Sequence, residues 1–136
     1  MSHRNRRQAS RRPKTLRFRF EAAGDRWRAV SVNVSASGCF LKASHVAPVG
    51  SRVQLQQQLQ ERDGVDIRVE GEVVWAIAEA TLSRPETGFA IRFTRAWSAD
   101  DDAPLRELLT ILGVTVPGEF EIERWDGVDG YGYRFS

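Results

Sequence analysis

Two short segments carry the residue types and spacings that could do chemistry. The first is Arg4-Asn5-Arg6-Arg7-Gln8-Ala9-Ser10-Arg11-Arg12, in which Arg7 and Arg11 form an RxxxR spacing. The second is Asn33-Val34-Ser35-Ala36-Ser37-Gly38, an NxSxxG pattern. A guanidinium fork binds phosphate bidentately, meets guanine O6 and N7, and stacks on a base. Asn and Ser accept and donate hydrogen bonds, and Gly permits a backbone conformation or a close approach that a Cβ would block. Guanidinium groups beside a short polar turn therefore make a site for a phosphorylated purine. Each segment alone has a plainer reading. RxxxR arises by chance in an Arg-rich arm, which is then a solvated or nucleic-acid-binding tail. A polar turn alone is a strand end whose Asn and Ser serve local hydrogen bonds.

Catalytic and metal readings find no footing. There is no Ser/His/Asp set, no Gly-rich phosphate loop and no GxGxxG after a strand. The acidic residues gather at 100–102 and in the tail, where solvation and helix-dipole matching explain them. Asp126 and Asp129 do not have the alternation of a calcium loop. One cysteine, Cys39, excludes an internal disulfide framework and a CxxC metal site, and His3 and His45 have no ligand spacing.

Charge is distributed unevenly along the 136 residues. The net charge of +2 divides into +8 over residues 1–20, zero over 21–97 and −6 over 98–136. Of the 20 basic residues, only Lys14 and Lys42 are not Arg. The Arg preference favours planar, bidentate recognition of an anion, although an Arg-rich composition accounts for it equally well. The 41% hydrophobic content, with seven Phe and four Trp, is enough for one core. No apolar run approaches a membrane span, and no apolar stretch follows the basic N-terminus as in a secretory signal. A soluble cytoplasmic protein with no membrane association is the expectation.

The elements that must position the two segments follow from periodicity. Residues 1–13 lack apolar alternation and read as a flexible basic arm. Leu16, Phe18 and Phe20 alternate with Arg17 and Arg19, the pattern of a half-buried strand. After a turn at 22–25, residues 27–34 form a second strand with Val30, Val32 and Val34 on one face. Cys39–Lys42 is a short third strand. Val53, Leu55, Gln57 and Leu59 alternate in a fourth, and the turn Arg62-Asp63-Gly64 follows. Val65, Ile67, Val69, Gly71, Val73 and Trp75 share one face of a long fifth strand. Gly71 in that row marks a bend, a bulge or a close approach. Phe89, Ile91 and Phe93 make the sixth. Six short strands joined by turn residues point to a small antiparallel barrel or sandwich.

Ser98–Leu112 reads as the one helix. Ser98 is the expected N-cap, Pro104 is tolerated in the first turns, and Gly113 is the stop. Leu105, Leu108, Leu109 and Leu112 recur at i, i+3, i+4 and i+7 as one apolar stripe. The extension 114–136 alternates Glu with Phe120 and Ile122, then carries Asp126-Gly127, Asp129-Gly130, Tyr131, Tyr133 and Phe135. It is either a hairpin with an aromatic face or a semi-ordered acidic segment.

In this order and separation, the RxxxR and NxSxxG segments resemble those of the PilZ domain, the bacterial receptor for cyclic di-GMP. The resemblance spans about residues 6–112. It includes the Pro48–Gly50 turn, Gly71-Glu72-Val73-Val74-Trp75, Gly88-Phe89-Ala90-Ile91-Arg92-Phe93 and the helix. It implies a six-stranded antiparallel β-barrel with one C-terminal α-helix over 14–113, the arm 1–13 before it and the acidic aromatic extension 114–136 after it. It also implies a non-catalytic receptor with no cofactor, in which Arg7 and Arg11 hold the guanines and phosphates of cyclic di-GMP. Arg6 adds a contact, Asn33 and Ser35 hydrogen-bond the ligand, and Gly38 completes the turn. Asn33 stands where many members have Asp, and Arg12 and Ser37 receive no role. A downstream protein partner and a homodimer fit the same reading, whereas specific nucleic-acid binding does not. The alternative is a PilZ-like protein–protein adaptor that binds no nucleotide, for which the tail's Trp125, Tyr131 and Tyr133 are suitable contact residues. A sharper reading of the tail sets its negative charge in competition with the ligand for the basic arm.

Overall fold

Alternating apolar and polar residues build a closed barrel, seen in a computed structural model that describes residues 15–57 and 66–135. The strands are β1 (Arg17–Ala22), β2 (Asp25–Val32), β3 (Gly38–Ala43), β4 (Arg52–Gln57), β5 (Ile67–Ile77) and β6 (Gly88–Ala99). They pair in the order β3-β2-β1-β4-β5-β6, and an antiparallel β3–β6 pairing closes the ring. This is the six-stranded antiparallel barrel expected. Phe18, Phe20, Leu41, Leu55, Ile67, Val69, Val73, Phe89, Ile91 and Phe93 form its buried core. Gly71 lies next to a register shift between β5 and β6, and a Cβ there would press on Ile91 and the Arg92 carbonyl. Leu59, Val65 and the 62–64 turn lie outside the described residues, as does the arm 1–13.

Three expectations are corrected. On β2 the inward residues are Ala29 and Ser31, whereas Val30 and Val32 sit half-buried on the outer side. The reason is register: Ala29 pairs with the buried Phe18, and directly paired residues point to the same side of the sheet. Ser31 is tolerated inside because its hydroxyl accepts the Leu16 N–H at 2.7 Å, while its own N–H donates to the Leu16 carbonyl at 2.9 Å. Strand β2 ends at Val32, and Val34 then packs against the core from the following turn. Trp75 leaves the buried face, because a bulge between Val73 and Trp75 inserts one residue and reverses the side-chain parity. Finally, β6 continues to Ala99, so the helix α1 begins only at Ala103 and ends at Ile111. Ser98 is a fully buried strand residue whose hydroxyl donates to the Asp101 carbonyl at 2.8 Å, and Asp102 is the N-cap.

The rest of the helix reading holds. Pro104 lies in the first turn, and Leu105, Leu108, Leu109 and Leu112 are buried in the barrel core. Each contributes about 1.5–3 kcal/mol by burial. At the C-terminus the Gly113 N–H donates to Thr110 and the Val114 N–H to Leu109, with Gly113 at φ +77°, a Schellman ending.

The extension takes the hairpin form. Strands β7 (Glu121–Trp125) and β8 (Val128–Arg134) are joined by Asp126-Gly127, both at positive φ as a type I′ turn requires. Strand β8 pairs with Arg95–Ala99 of β6, so the hairpin prolongs the barrel sheet to eight strands. One edge of β6 is thus shared: Gly88–Arg92 pairs with β3 and Arg95–Ala99 with β8. Tyr131, Tyr133 and Phe135 pack toward the core. On the opposite side the hairpin covers Trp97, which is fully buried and donates through Nε1 to the Glu123 carbonyl at 3.1 Å. Gly130 lies where a Cβ would run into the Ser98 carbonyl and the Trp97 ring. Three of the tail's five carboxylates are engaged locally: Asp126 with Arg68 at 2.7 Å, Glu123 with Arg134 at 3.3 Å, and Asp129 with Arg124 at 3.0 Å. Arg68 also grips Asp66 with two donors, and that pairing, ahead of the Asp126 contact, holds its guanidinium above its ordinary pKa.

Gly130→Ala is expected to destabilise the fold by about 1–3 kcal/mol, the cost of an overpacked core position. Gly118→Ala, where a Cβ meets nothing within 4 Å, is expected to stay within about 0.5 kcal/mol of the parent. Urea denaturation of the two variants checks both values.

Candidate ligand-binding site

The polar turn between β2 and β3 is built by its own side chains and seated on β6. Asn33 ends β2 at φ +54°, a left-handed conformation that Asn adopts more readily than most residues. The Ser35 N–H donates to the Gly38 carbonyl at 2.9 Å, and Ser35 Oγ lies 3.0 Å from Ser37 Oγ. The Ser37 carbonyl in turn accepts the Phe93 N–H at 2.9 Å, which ties the turn to β6. Gly38 is needed for a close approach: a Cβ there would strike the Ile91 carbonyl oxygen. The approach is to a neighbouring strand, so Gly38 shapes the turn by letting β3 lie against β6.

Asn33, Ser35 and Ser37 are all exposed and lie within this one turn. Arg6, Arg7 and Arg11 lie outside the described residues. The root of the arm is fixed: the Leu16 backbone is hydrogen-bonded to Ser31, two residues before Asn33.

The barrel's outer face beside the turn holds residues that periodicity did not single out. Gly38 pairs with Arg92, and Arg92 pairs with Glu72 on the other side of β6. Arg92 and Glu72 form an exposed ion pair at 3.3 Å, with side chains 62% and 40% accessible. One outward position further along β6, Ala90 pairs with Phe40 on one side and Trp75 on the other. The two rings meet across Ala90, stacked at 5.1 Å and 25°. Trp75 remains 46% exposed, which leaves aromatic surface open to solvent. Its exposure was hidden in the sequence because a strict period of two places it inside. Only the bulge at Val74 turns it out.

Cys39, next to Gly38, points inward and is 6% exposed. Burial pushes its thiol pKa up to about 12, so the nucleophilic thiolate is absent at neutral pH. Among the described residues no group of three or more His, Cys, Asp or Glu could hold a metal ion. An open cavity of about 820 Å³ lies elsewhere, lined by residues such as Arg52, Gln54, Arg68, Glu70 and Trp125, and includes no residue of the 33–38 turn. Among the described residues no helix is long and apolar enough to cross a membrane.

The family model of the PilZ domain matches residues 5–110. The chain belongs to the PilZ domain family. The match takes in both the arginine segment and the turn, together with all six barrel strands and most of α1. PilZ domains are non-catalytic signalling receptors that generally bind cyclic di-GMP. Comparison with curated proteins and with solved structures gave no match.

Cys39 in the native PilZ barrel is expected to resist alkylation by iodoacetamide at pH 8 and to react once urea unfolds the chain. Mass spectrometry of the two samples reads the difference.

Proposed function

We propose that this PilZ domain binds cyclic di-GMP between the RxxxR arm and the Asn33–Gly38 turn and acts as a receptor without catalytic activity. Arg7 and Arg11 engage the guanines and phosphates, Arg6 adds a contact, and Asn33 and Ser35 hydrogen-bond the ligand at the barrel surface. The observation that carries this reading is the position of the turn: exposed hydrogen-bonding groups are fixed on β6, directly beside the root of the arm. Arg11 is five residues before Leu16, and an extended chain covers at most about 3.6 Å per residue, so its side chain is within reach of the turn. The exposed face of Trp75, on the same side of the barrel, offers a platform for a base. Closure of the arm over the ligand would change the surface shown to a downstream protein.

The nucleotide-free adaptor reading loses its main support. It relied on the aromatic residues of the extension, but Trp125 is buried and Tyr131 and Tyr133 pack against the core. In the reading in which the acidic tail competes for the arm, Glu123, Asp126 and Asp129 would have to leave partners within the barrel and hairpin, whereas Glu119 and Glu121 stand exposed.

Calorimetric titration with cyclic di-GMP, run beside GTP and the linear dinucleotide, tests the proposal. Arg7→Ala and Arg11→Ala are each expected to cost about 1–3 kcal/mol of binding, the scale of a lost charged hydrogen bond. Unchanged tight binding by both variants would refute the site.

Asn33→Gly separates the side chain from the backbone. Glycine accepts the positive φ of this position, so the variant is expected to melt within a few degrees of the parent while binding more weakly. Parent-like affinity would remove Asn33 from the ligand contacts.

A further inference from the structure

We infer that Arg92 is a further ligand-binding residue of the turn and that Glu72 holds it in reserve until an anion arrives. This rests on the cyclic di-GMP reading above and adds to it a cation on the barrel itself.

The turn offers Asn33, Ser35 and Ser37 but no positive charge, and a phosphodiester placed there needs one. Arg92 is the outward residue of β6 paired directly with Gly38. Neighbouring strands are about 4.8 Å apart, and an extended Arg side chain spans more than that distance. A Cβ at position 38 would lie 3.2 Å from the Arg92 Cα, and glycine leaves that space open. Arg92 also lies on β6 between the turn and the Phe40–Trp75 stack, one outward step from Ala90. A nucleotide resting a base on Trp75 and a phosphate at the turn would pass over its guanidinium.

Arg92 is turned the other way, toward Glu72 at 3.3 Å. That pair is exposed on both sides and is therefore weak. Glu72 pairs across β5–β4 with Arg52, so a second cation stands ready to neutralise it when Arg92 swings to the ligand. The row Gly38–Arg92–Glu72–Arg52 across four adjacent strands makes this exchange local. A phosphate offers Arg92 a bidentate partner in place of one monodentate contact.

The test is the affinity of the full chain for cyclic di-GMP at about 50 mM and about 300 mM salt, with melting curves to verify folding. Arg92→Gln is expected to weaken binding at least about tenfold, as for the loss of a charged hydrogen bond. Glu72→Gln is expected to tighten it about two- to fivefold at low salt, with a smaller gain at high salt. In the double variant the Glu72 effect should vanish, because Glu72 acts only through Arg92. If the parent binds and Arg92→Gln binds within twofold of it, the role of Arg92 is refuted while the site stands. If Glu72→Gln weakens binding, the reserve role of Glu72 is refuted. If the folded parent does not bind at all, the cyclic di-GMP reading fails and this inference fails with it.

Discussion

Closure of the barrel depends on the backbone-to-backbone approach of β3 and β6. At Gly38 a Cβ would meet the Ile91 carbonyl, and at Gly88, at the other end of the same pairing, it would meet the Leu41 carbonyl and the Phe40 ring. Any side chain at either position would push the strands apart. The two glycines therefore do more than permit a turn. They allow the last hydrogen-bonded seam to form, and that seam seals Leu41, Phe89 and Ile91 from water. The candidate site inherits its geometry from the same contact. Ser37 is tied to Phe93, Gly38 lies beside Arg92, and Phe40 is drawn over Ala90 toward Trp75. One packing requirement thus places the polar turn, a cation and an aromatic face on one side of the barrel.

Strand β6 has to serve two partners along one edge, and it manages this at Thr94. Residue 94 is passed over in the β5–β6 register, with Gly71 paired to Phe93 and Glu70 to Arg95. Its hydroxyl donates to the Glu70 carbonyl at 3.0 Å, which satisfies a group freed by the irregularity. Beyond this point the parity of β6 reverses: Ala96 faces the core, and Trp97 faces outward under the hairpin. Arg95 lies 4.0 Å over the Trp125 ring, so the hairpin is held by a cation–π contact as well as by strand pairing. The extension is structurally an addition to β6, and its alternation of Gly with Tyr reflects two unlike faces. Gly130 makes room for Trp97 and Gly132 for the Glu123 side chain, and the large residues pack toward the core.

Much of this was legible in the sequence. The period of two in Leu16–Phe20 and Val53–Gln57, the leucine stripe of α1 and the Gly113 stop all encode local rules that tertiary contacts reinforce. The two motifs, read together, pointed to the PilZ family, and the family match agrees. What could not be read depended on distant partners. The inward face of β2 is set by its register against β1, which pairs Ala29 with Phe18 and Val30 with the outward Arg17, and strand propensity does not record that. The start of α1 moved because a hairpin more than twenty residues later pairs with Ser98 and keeps it in a strand. Trp75 and Arg92 join the candidate site through a bulge and a cross-strand register. Neither leaves a mark in the local pattern. The arm was legible only as a motif, since its five arginines lie outside the described residues.

The central claim is that cyclic di-GMP lands on the face organised by the β3–β6 seam. Amide chemical-shift mapping of the isotope-labelled full chain during a cyclic di-GMP titration tests this most directly. The account requires the largest changes at residues 33–38, at Ala90–Arg92 and in the arginine arm, with the β7–β8 hairpin and the buried face of α1 little affected. Changes concentrated on the hairpin or around the cavity near Arg52 and Trp125, with the turn unmoved, would contradict it.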